Sequence, residues 1–169
     1  HPKRKLARVE KGKAVFEDGS EMFHDILFAI PPHKCPKVVV DGGLTDSSGW
    51  VPVNPQTLAT KFEDVYAVGD VAAVETPHGH MPFLRKAGVF ARGQAETVAN
   101  NLAVSITGKG ERRAWGGTGE CFLETSKSEG AFLRGSFLSN PPRLEFHPPR
   151  RKWHLEKVKF EKFWLTHWF

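Results

Sequence analysis

An α/β chain that closes on a small α+β unit is what the sequence predicts. The apolar run Val65-Tyr66-Ala67-Val68, ending at Gly69-Asp70, has the length and character of a strand covered on both faces, as in a parallel sheet. Apolar residues at Phe90/Ala91, Ala95, Val98, Leu102 and Ile106 recur at helical period. Two strand-like segments, 119–125 and 131–138, flank a turn at 126–130, and a stretch without Gly or Pro follows from Arg150.

Taken in order, 5–10 and 13–17 read as strands joined by a Lys11-Gly12 turn. Asp18-Gly19-Ser20 makes a second turn, and a third strand is expected to end in Asp25-Ile26-Leu27-Phe28-Ala29-Ile30. Pro31 and Pro32 lack amide donors and stop the sheet, and the polar, Gly-rich stretch 41–49 reads as a loop. Val51 to Val53 is a short strand, 65–68 the next, and a helix is expected after it. One helix is expected over 86–107, with Gly108 as its left-handed cap. A third strand of the late sheet is expected at 144–147, ended by Pro148 and Pro149. The last stretch, 150–169, is long enough for roughly five helical turns at about 3.6 residues each.

Composition narrows the function classes. The 169 residues are 40% hydrophobic, 11% aromatic and 25% charged, which excludes disorder, collagen and coiled coil and leaves material for one sizeable core or somewhat more. Cys35 and Cys121 are too far apart in sequence for a disulfide framework or a zinc motif. The basic residues from His1 to Arg8 have no apolar stretch behind them and no run is long enough to span a bilayer, so neither a signal peptide nor a spanning helix is expected and membrane contact would be peripheral. A net charge of +5 favours an anionic partner where the excess is clustered.

A strand that ends in Gly-Asp is a device for holding a polar ligand at a sheet's carboxyl edge: glycine lets backbone approach closely, and a carboxylate accepts hydrogen bonds from sugar hydroxyls. Thr60, followed by Phe62-Glu63-Asp64-Val65-Tyr66-Ala67-Val68-Gly69-Asp70, resembles the second flavin-binding motif of the FAD-dependent pyridine nucleotide-disulfide oxidoreductases. Asp25 to Pro32 resembles their strand returning from the NAD-like to the FAD domain. Ile30-Pro31, where most members have Thr-Gly, is similar to the branch of sulfide:quinone oxidoreductases and flavocytochrome c sulfide dehydrogenases. Arg85-Lys86-Ala87-Gly88 resembles that branch's Pro-Lys-x-Gly helix start, with Arg85 in place of proline; 115–130 resembles its redox-cysteine strand and 153–163 its terminal helix.

The resemblance implies a carboxyl-terminal part of a glutathione reductase-like flavoprotein with two dinucleotide-binding domains. Residues 1–30 would end the NAD-like domain, 31–110 would belong to the FAD domain, and 111–169 would form a small α+β domain. The Gly-x-Gly-x-x-Gly expected for the FAD pyrophosphate does not occur in these residues. The implied cofactor is FAD, held by Gly69, Asp70, Val71, Lys86 and Gly88; a cation at Lys86 suits reduced flavin, an anion at neutral pH. Cys121 would be the redox thiol acting on sulfide, and Cys35 is incidental to the motif. Phe122, Lys157 and Phe160 would hold quinone.

Helical rotation puts Trp153, Phe160, Trp164 and Trp168 on one side of the last segment and Leu155, Val158, Leu165 and Phe169 roughly opposite. One apolar face is expected to pack on the body and the aromatic one to meet lipid or quinone. Six basic residues against Glu156 and Glu161 over 150–162 favour an anionic membrane surface; burial in a homo-oligomer is the alternative. No recognisable nucleic-acid module accompanies the charge. The competing activities are a type II NADH:quinone oxidoreductase and a flavocytochrome c flavoprotein subunit, and a non-enzymatic membrane-surface or interaction domain is the competitor from another class.

Overall fold

Antiparallel pairing around two tight turns builds the first of two units. The computed structural model describes residues 4–79 and 81–168, Trp168 by its backbone alone, so the expectations for His1, Phe169 and the Trp168 side chain lie outside the described residues. One unit comprises the residues up to His33 and the other starts at Lys34. In the first, β1 (Leu6–Glu10), β2 (Lys13–Phe16) and β3 (Glu21–Phe23) pair antiparallel in that order. Ala14 and Val15 of the central strand are buried, while Lys13 pairs with Glu21 at 2.6 Å and Lys5 with Glu17 at 2.7 Å.

The expected strand through Ile30 is corrected to one that ends at Phe23. Its partner runs out: Phe23 lies opposite Lys13, where β2 begins, and the His24 amide reaches only the Gly12 carbonyl, at 3.0 Å. Residues 25–30 are consequently unpaired, with Phe28 94% and Ile30 90% exposed.

The second unit opens on a short helix that the sequence did not signal, α1 (Lys37–Asp41), entered from Pro36. Strand β4 (Val51–Val53) pairs in parallel with β5 (Ala72–Val74), whose three residues are buried. The strand expected at 65–68 is a correction. Leu58 and Asp64 take left-handed φ values of 62° and 58°, turning the chain so that Ala67 N–H donates to the Leu58 carbonyl at 3.1 Å and Thr60 N–H to that of Val65 at 2.9 Å. Those local bonds leave a single bridge, Ala59 to Tyr66, in place of a strand. Gly69–Val71 then forms a 3₁₀ turn that leads into β5, and the helix expected after this segment follows at Gly88, beyond β5.

That helix, α2 (Gly88–Thr107), ends at Gly108 with φ 66° as expected, and starts two positions later than the sequence suggested. Its buried face differs from the apolar stripe: Phe90 and Val98 are buried, Ala95 and Ile106 are exposed, and Gln94, Thr97 and Asn101 are buried. These polar side chains are covered because they are satisfied. Gln94 Oε1 accepts the Gly69 N–H at 2.6 Å, Thr97 donates to the Gly93 carbonyl at 2.8 Å, and Asn101 both accepts from and donates to the Arg113 backbone at 2.7 and 2.8 Å. Around α2 the core gathers Val51, Leu58, Ala67, Ala72, Val74, Phe90, Val98 and Trp115. Phe90 meets Trp115 and Phe137 edge to face, at 6.1 and 5.3 Å between centroids.

The second sheet is antiparallel, β6 (Thr118–Glu124), β7 (Gly130–Ser136) and β8 (Arg143–Arg150), with Cys121 opposite Leu133 and Phe122 opposite Phe132. The stop expected at Pro148 and Pro149 is corrected, because β8 runs through both to Arg150. A register shift between Gly130 and Phe132 absorbs the prolines, and an edge strand tolerates their missing amides. Helix α3 (Arg151–Trp168) follows at once and folds back on the sheet, Trp153 stacking on Phe132 at 4.7 Å with 12° between planes. The aromatic side of α3 therefore packs on the body at this end, the reverse of the expected orientation, and Leu155 is exposed.

Gly119 is where α2 and the sheet touch most closely: a β-carbon there would overlap the Phe90 ring. Gly119→Ala should therefore cost about 1–3 kcal/mol through overpacking, measured as a lowered urea midpoint at unchanged m. A midpoint equal to that of the parent would mean that Phe90 has room to move aside.

Candidate functional site

Two groups of predicted site residues come together, on different elements. The first surrounds the turn after Val68. Gly69, at φ 74°, opens the 3₁₀ turn, and an added β-carbon would stand 3.4 Å from Ala91 Cβ. Glycine is needed there both for the left-handed backbone and for the close approach of α2. Asp70 is exposed at the middle of the turn and Val71 is half-buried at its end.

The Lys86 ammonium donates to the Asp70 carbonyl oxygen and lies 3.5 Å from the centre of the Trp50 ring. Partial burial pushes the Lys86 pKa below its ordinary value, while the negative charges of Asp70 and Cys35 draw it upward. Trp50 was not anticipated; its only sequence signal was an aromatic residue at the end of a Gly-rich loop. Two residues beyond Lys86, Gly88 begins α2 with open space where a β-carbon would stand, and the N-cap Ala87 supplies no side-chain acceptor. The helix start thus adds its positive dipole end to the lysine's charge.

The enclosed space at this corner is about 10 Å³, bordered by Gly69, Lys86, Ala87, Ala91 and Gln94, which is room for about one water. Anything larger lies on the open side. Between the first half of α2 and the sheet is an open cleft of about 680 Å³, bordered by Val89, Arg92, Gly93, Gly119, Glu120 and Arg134 among others. That volume is within the range of small-molecule sites.

The second group is built on β6 and α3. Strand alternation sends Phe122 and Glu124 to one face and Gly119 and Cys121 to the other. On the α3 face, Phe122 lies 5.0 Å from Phe132 and 6.3 Å from Phe160, and Phe160 lies 5.9 Å from Trp164. Glu124 Oε1 forms an ion pair with Lys157 Nζ at 3.2 Å, and His154 Nδ1 lies 3.3 Å from Oε1 and 3.2 Å from Oε2. His154, Lys157 and Phe160 follow at steps of three along α3, which sets them on neighbouring turns. Cys121 is exposed on the opposite face, the side on which Gly119 abuts Phe90 of α2, and its thiol is free.

Phe122, Lys157 and Phe160 are therefore brought together as predicted, Cys121 is held back to back with them, and Glu124, His154 and Phe132 are additions. Spacing alone offered one clue to Glu124, its position two residues beyond Phe122 on a strand. Hydrogen bonds from His154, and then from Lys157, hold the Glu124 carboxyl below its ordinary value of 4.5. Among the described residues, no cluster of His, Cys, Asp and Glu is arranged to hold a metal ion, and no helix is long and apolar enough to cross a membrane.

No family model matches the chain. The fold is that of the carboxyl-terminal region of a class of quinone-reducing sulfur oxidoreductases: 96% of the chain superposes on 40% of the sulfide:quinone oxidoreductase of Aquifex aeolicus, with a TM-score of 0.71 and 21% identity. In sequence the chain is 30% identical over 165 residues to the mitochondrial sulfide:quinone oxidoreductase of Schizosaccharomyces pombe, a match covering 88% of this chain and 34% of that protein. It is 28% identical over 104 residues to the mitochondrial sulfide:quinone oxidoreductase of Mus musculus, covering 57% of this chain and 23% of that protein. The chain spans about a third of the length of the Schizosaccharomyces relative and is similar in sequence and fold to a carboxyl-terminal part of sulfide:quinone oxidoreductases.

The lowered Glu124 pKa fixes the sign of an acid effect. Ionised Glu124 favours the folded arrangement, so its contribution is complete above 4.5 and is lost as pH falls below that value toward the depressed one. Acid titration followed by near-ultraviolet circular dichroism should show α3 loosening in that window, and Glu124→Gln should remove that component. Superimposable acid curves for the two proteins would contradict the assignment.

Proposed function

We propose that the chain is the carboxyl-terminal part of an FAD-dependent enzyme that oxidises sulfide and reduces quinone. The observation that carries this reading is the two-sidedness of β6, with a free exposed thiol at Cys121 on one face and the Phe122, Phe160 and Lys157 group on the other. A sulfur substrate and a quinone would thus be served from opposite sides of one strand. The proposed domain bounds remain 1–30, 31–110 and 111–169.

The donor set around Gly69 fits a flavin. The left-handed Gly69 shapes the turn, exposed Asp70 offers a carboxylate to ribityl hydroxyls, and Val71 borders the turn. Lys86 and the start of α2 at Gly88 present positive charge for the pyrimidine edge. Bound FAD would supply two-electron transfer between thiol and quinone chemistry. For its part, Lys86 keeps a cation where negative charge would develop, Cys121 offers the nucleophilic sulfur, Phe122 and Phe160 flank a quinone ring, and Lys157 donates to its carbonyl oxygen. The NADH:quinone and flavocytochrome c alternatives draw no support from the relatives' names.

The terminal helix supports a peripheral membrane association of the whole protein. Leu155, Phe163 and Leu165 are exposed on α3, and lysines at 152, 159 and 162 accompany them. An oligomer interface on the same surface is the competing reading.

Two outcomes test the proposal in the flavin-loaded protein that carries this chain. Cys121→Ser should abolish sulfide-dependent quinone reduction while flavin occupancy stays unchanged, because serine keeps the size but cannot form a persulfide or disulfide; retained activity would make Cys121 a packing residue. Sedimentation with anionic vesicles should fall as salt rises, since exposed charges are screened within about 8–10 Å at physiological ionic strength, and a fraction should persist at high salt through the apolar side chains. A protein that stays in the supernatant at every salt concentration would rule the membrane reading out.

A further inference from the structure

Glu124 stands outside the three residues assigned to quinone, yet it touches their only cation. Strand β6 presents Phe122 and Glu124 on one face, two residues apart, and α3 presents His154, Lys157 and Phe160 on successive turns above them. The ring contact, Phe122 with Phe160 at 6.3 Å, and the ion pair, Glu124 with Lys157 at 3.2 Å, are thus parallel rungs of one strand-to-helix ladder. His154 Nδ1 lies 3.3 Å from Oε1 and 3.2 Å from Oε2, which fixes the plane of the carboxylate, and Lys157 shares Oε1 with it.

We infer that Glu124 is a positioning residue for quinone: its carboxylate, braced by His154, holds the Lys157 ammonium beside the Phe122–Phe160 pair with N–H groups left over for a quinone carbonyl. This inference rests on the quinone reading of the site. A lysine side chain has four rotatable bonds, and an unanchored one must surrender that freedom each time it binds a ligand. The ammonium has three N–H groups; one bond to Glu124 leaves two. Lys157 is 40% exposed and Glu124 33%, so the pair stands at the surface, where an ion pair contributes little to stability and its main consequence is where it holds the charge.

The test compares Glu124→Gln, Lys157→Met, the double variant and Phe160→Ala in the flavin-loaded protein. Decylubiquinone is the probe, read both as KM and kcat and as equilibrium quenching of tryptophan emission. Glu124→Gln should raise the quinone KM and Kd about five- to tenfold with kcat at saturation unchanged, and should add nothing in the Lys157→Met background, because residues that act through one another are not additive. If Lys157→Met and Phe160→Ala weaken quinone binding but Glu124→Gln does not, or if the effects of Glu124→Gln and Lys157→Met multiply, the inference is wrong and the quinone site stands. If none of the three single variants changes KM or Kd, the quinone reading fails and the inference falls with it. Should Glu124→Gln melt below the assay temperature, Glu124→Asp makes the same comparison, keeping the charge and shortening the reach: a raised KM supports the positioning role and an unchanged one overturns it.

Discussion

Phe90 against the bare backbone of Gly119 is the contact on which the second unit depends. The ring is buried on α2, meets Trp115 and Phe137 edge to face, and occupies the space a side chain at 119 would need. The start of α2 carries Lys86 and Gly88 toward the Gly69 turn, and β6 carries Cys121 two residues beyond Gly119. One aromatic contact therefore sets the separation between the corner with a flavin-like donor set and the strand with the thiol. A dense core transmits such a constraint because side chains in contact have little room to shift independently.

A second contact governs the other side of the strand. Trp153 stacked on Phe132 fixes the first turn of α3 over the middle strand, and the rest of the helix inherits its rotation. With that rotation set, His154, Lys157 and Phe160 must face β6, and Leu155 must face away. The apolar and polar contacts are complementary: rings determine where the helix lies, and Glu124 determines where its cations stop. The same rotation leaves Leu155, Phe163 and Leu165 at the surface, so the packing that builds one side of α3 exposes the other.

Much of this was legible before the structure. The hairpin turns at Gly12 and Gly19, the helix ending at Gly108, and the antiparallel pair around 126–130 follow from short-range rules, in which turn chemistry and periodicity act over a few residues. The grouping of Phe122 with Lys157 and Phe160 was reached through family resemblance. Periodicity failed on α2, where Gln94, Thr97 and Asn101 took buried positions that an apolar stripe would have given to Ala95 and Ile106. Their partners, the backbone of Gly69, Gly93 and Arg113, include loop groups far away in the chain, which no local pattern records.

By itself the sequence determined the class of the chain, the turns, both long helices and the residue types available for flavin, sulfur and quinone chemistry, because composition, period and motif are local properties. Tertiary structure decided the rest. It turned Val65 to Val68 from a strand into a bridged loop, since Leu58 and Asp64 reverse the backbone and occupy its hydrogen bonds locally. It carried β8 through two prolines because an edge strand has no second neighbour to satisfy. And it joined Glu124 to His154 and Lys157, whose meeting depends on the register of one strand and the rotation of one helix, quantities set only when Trp153 finds Phe132.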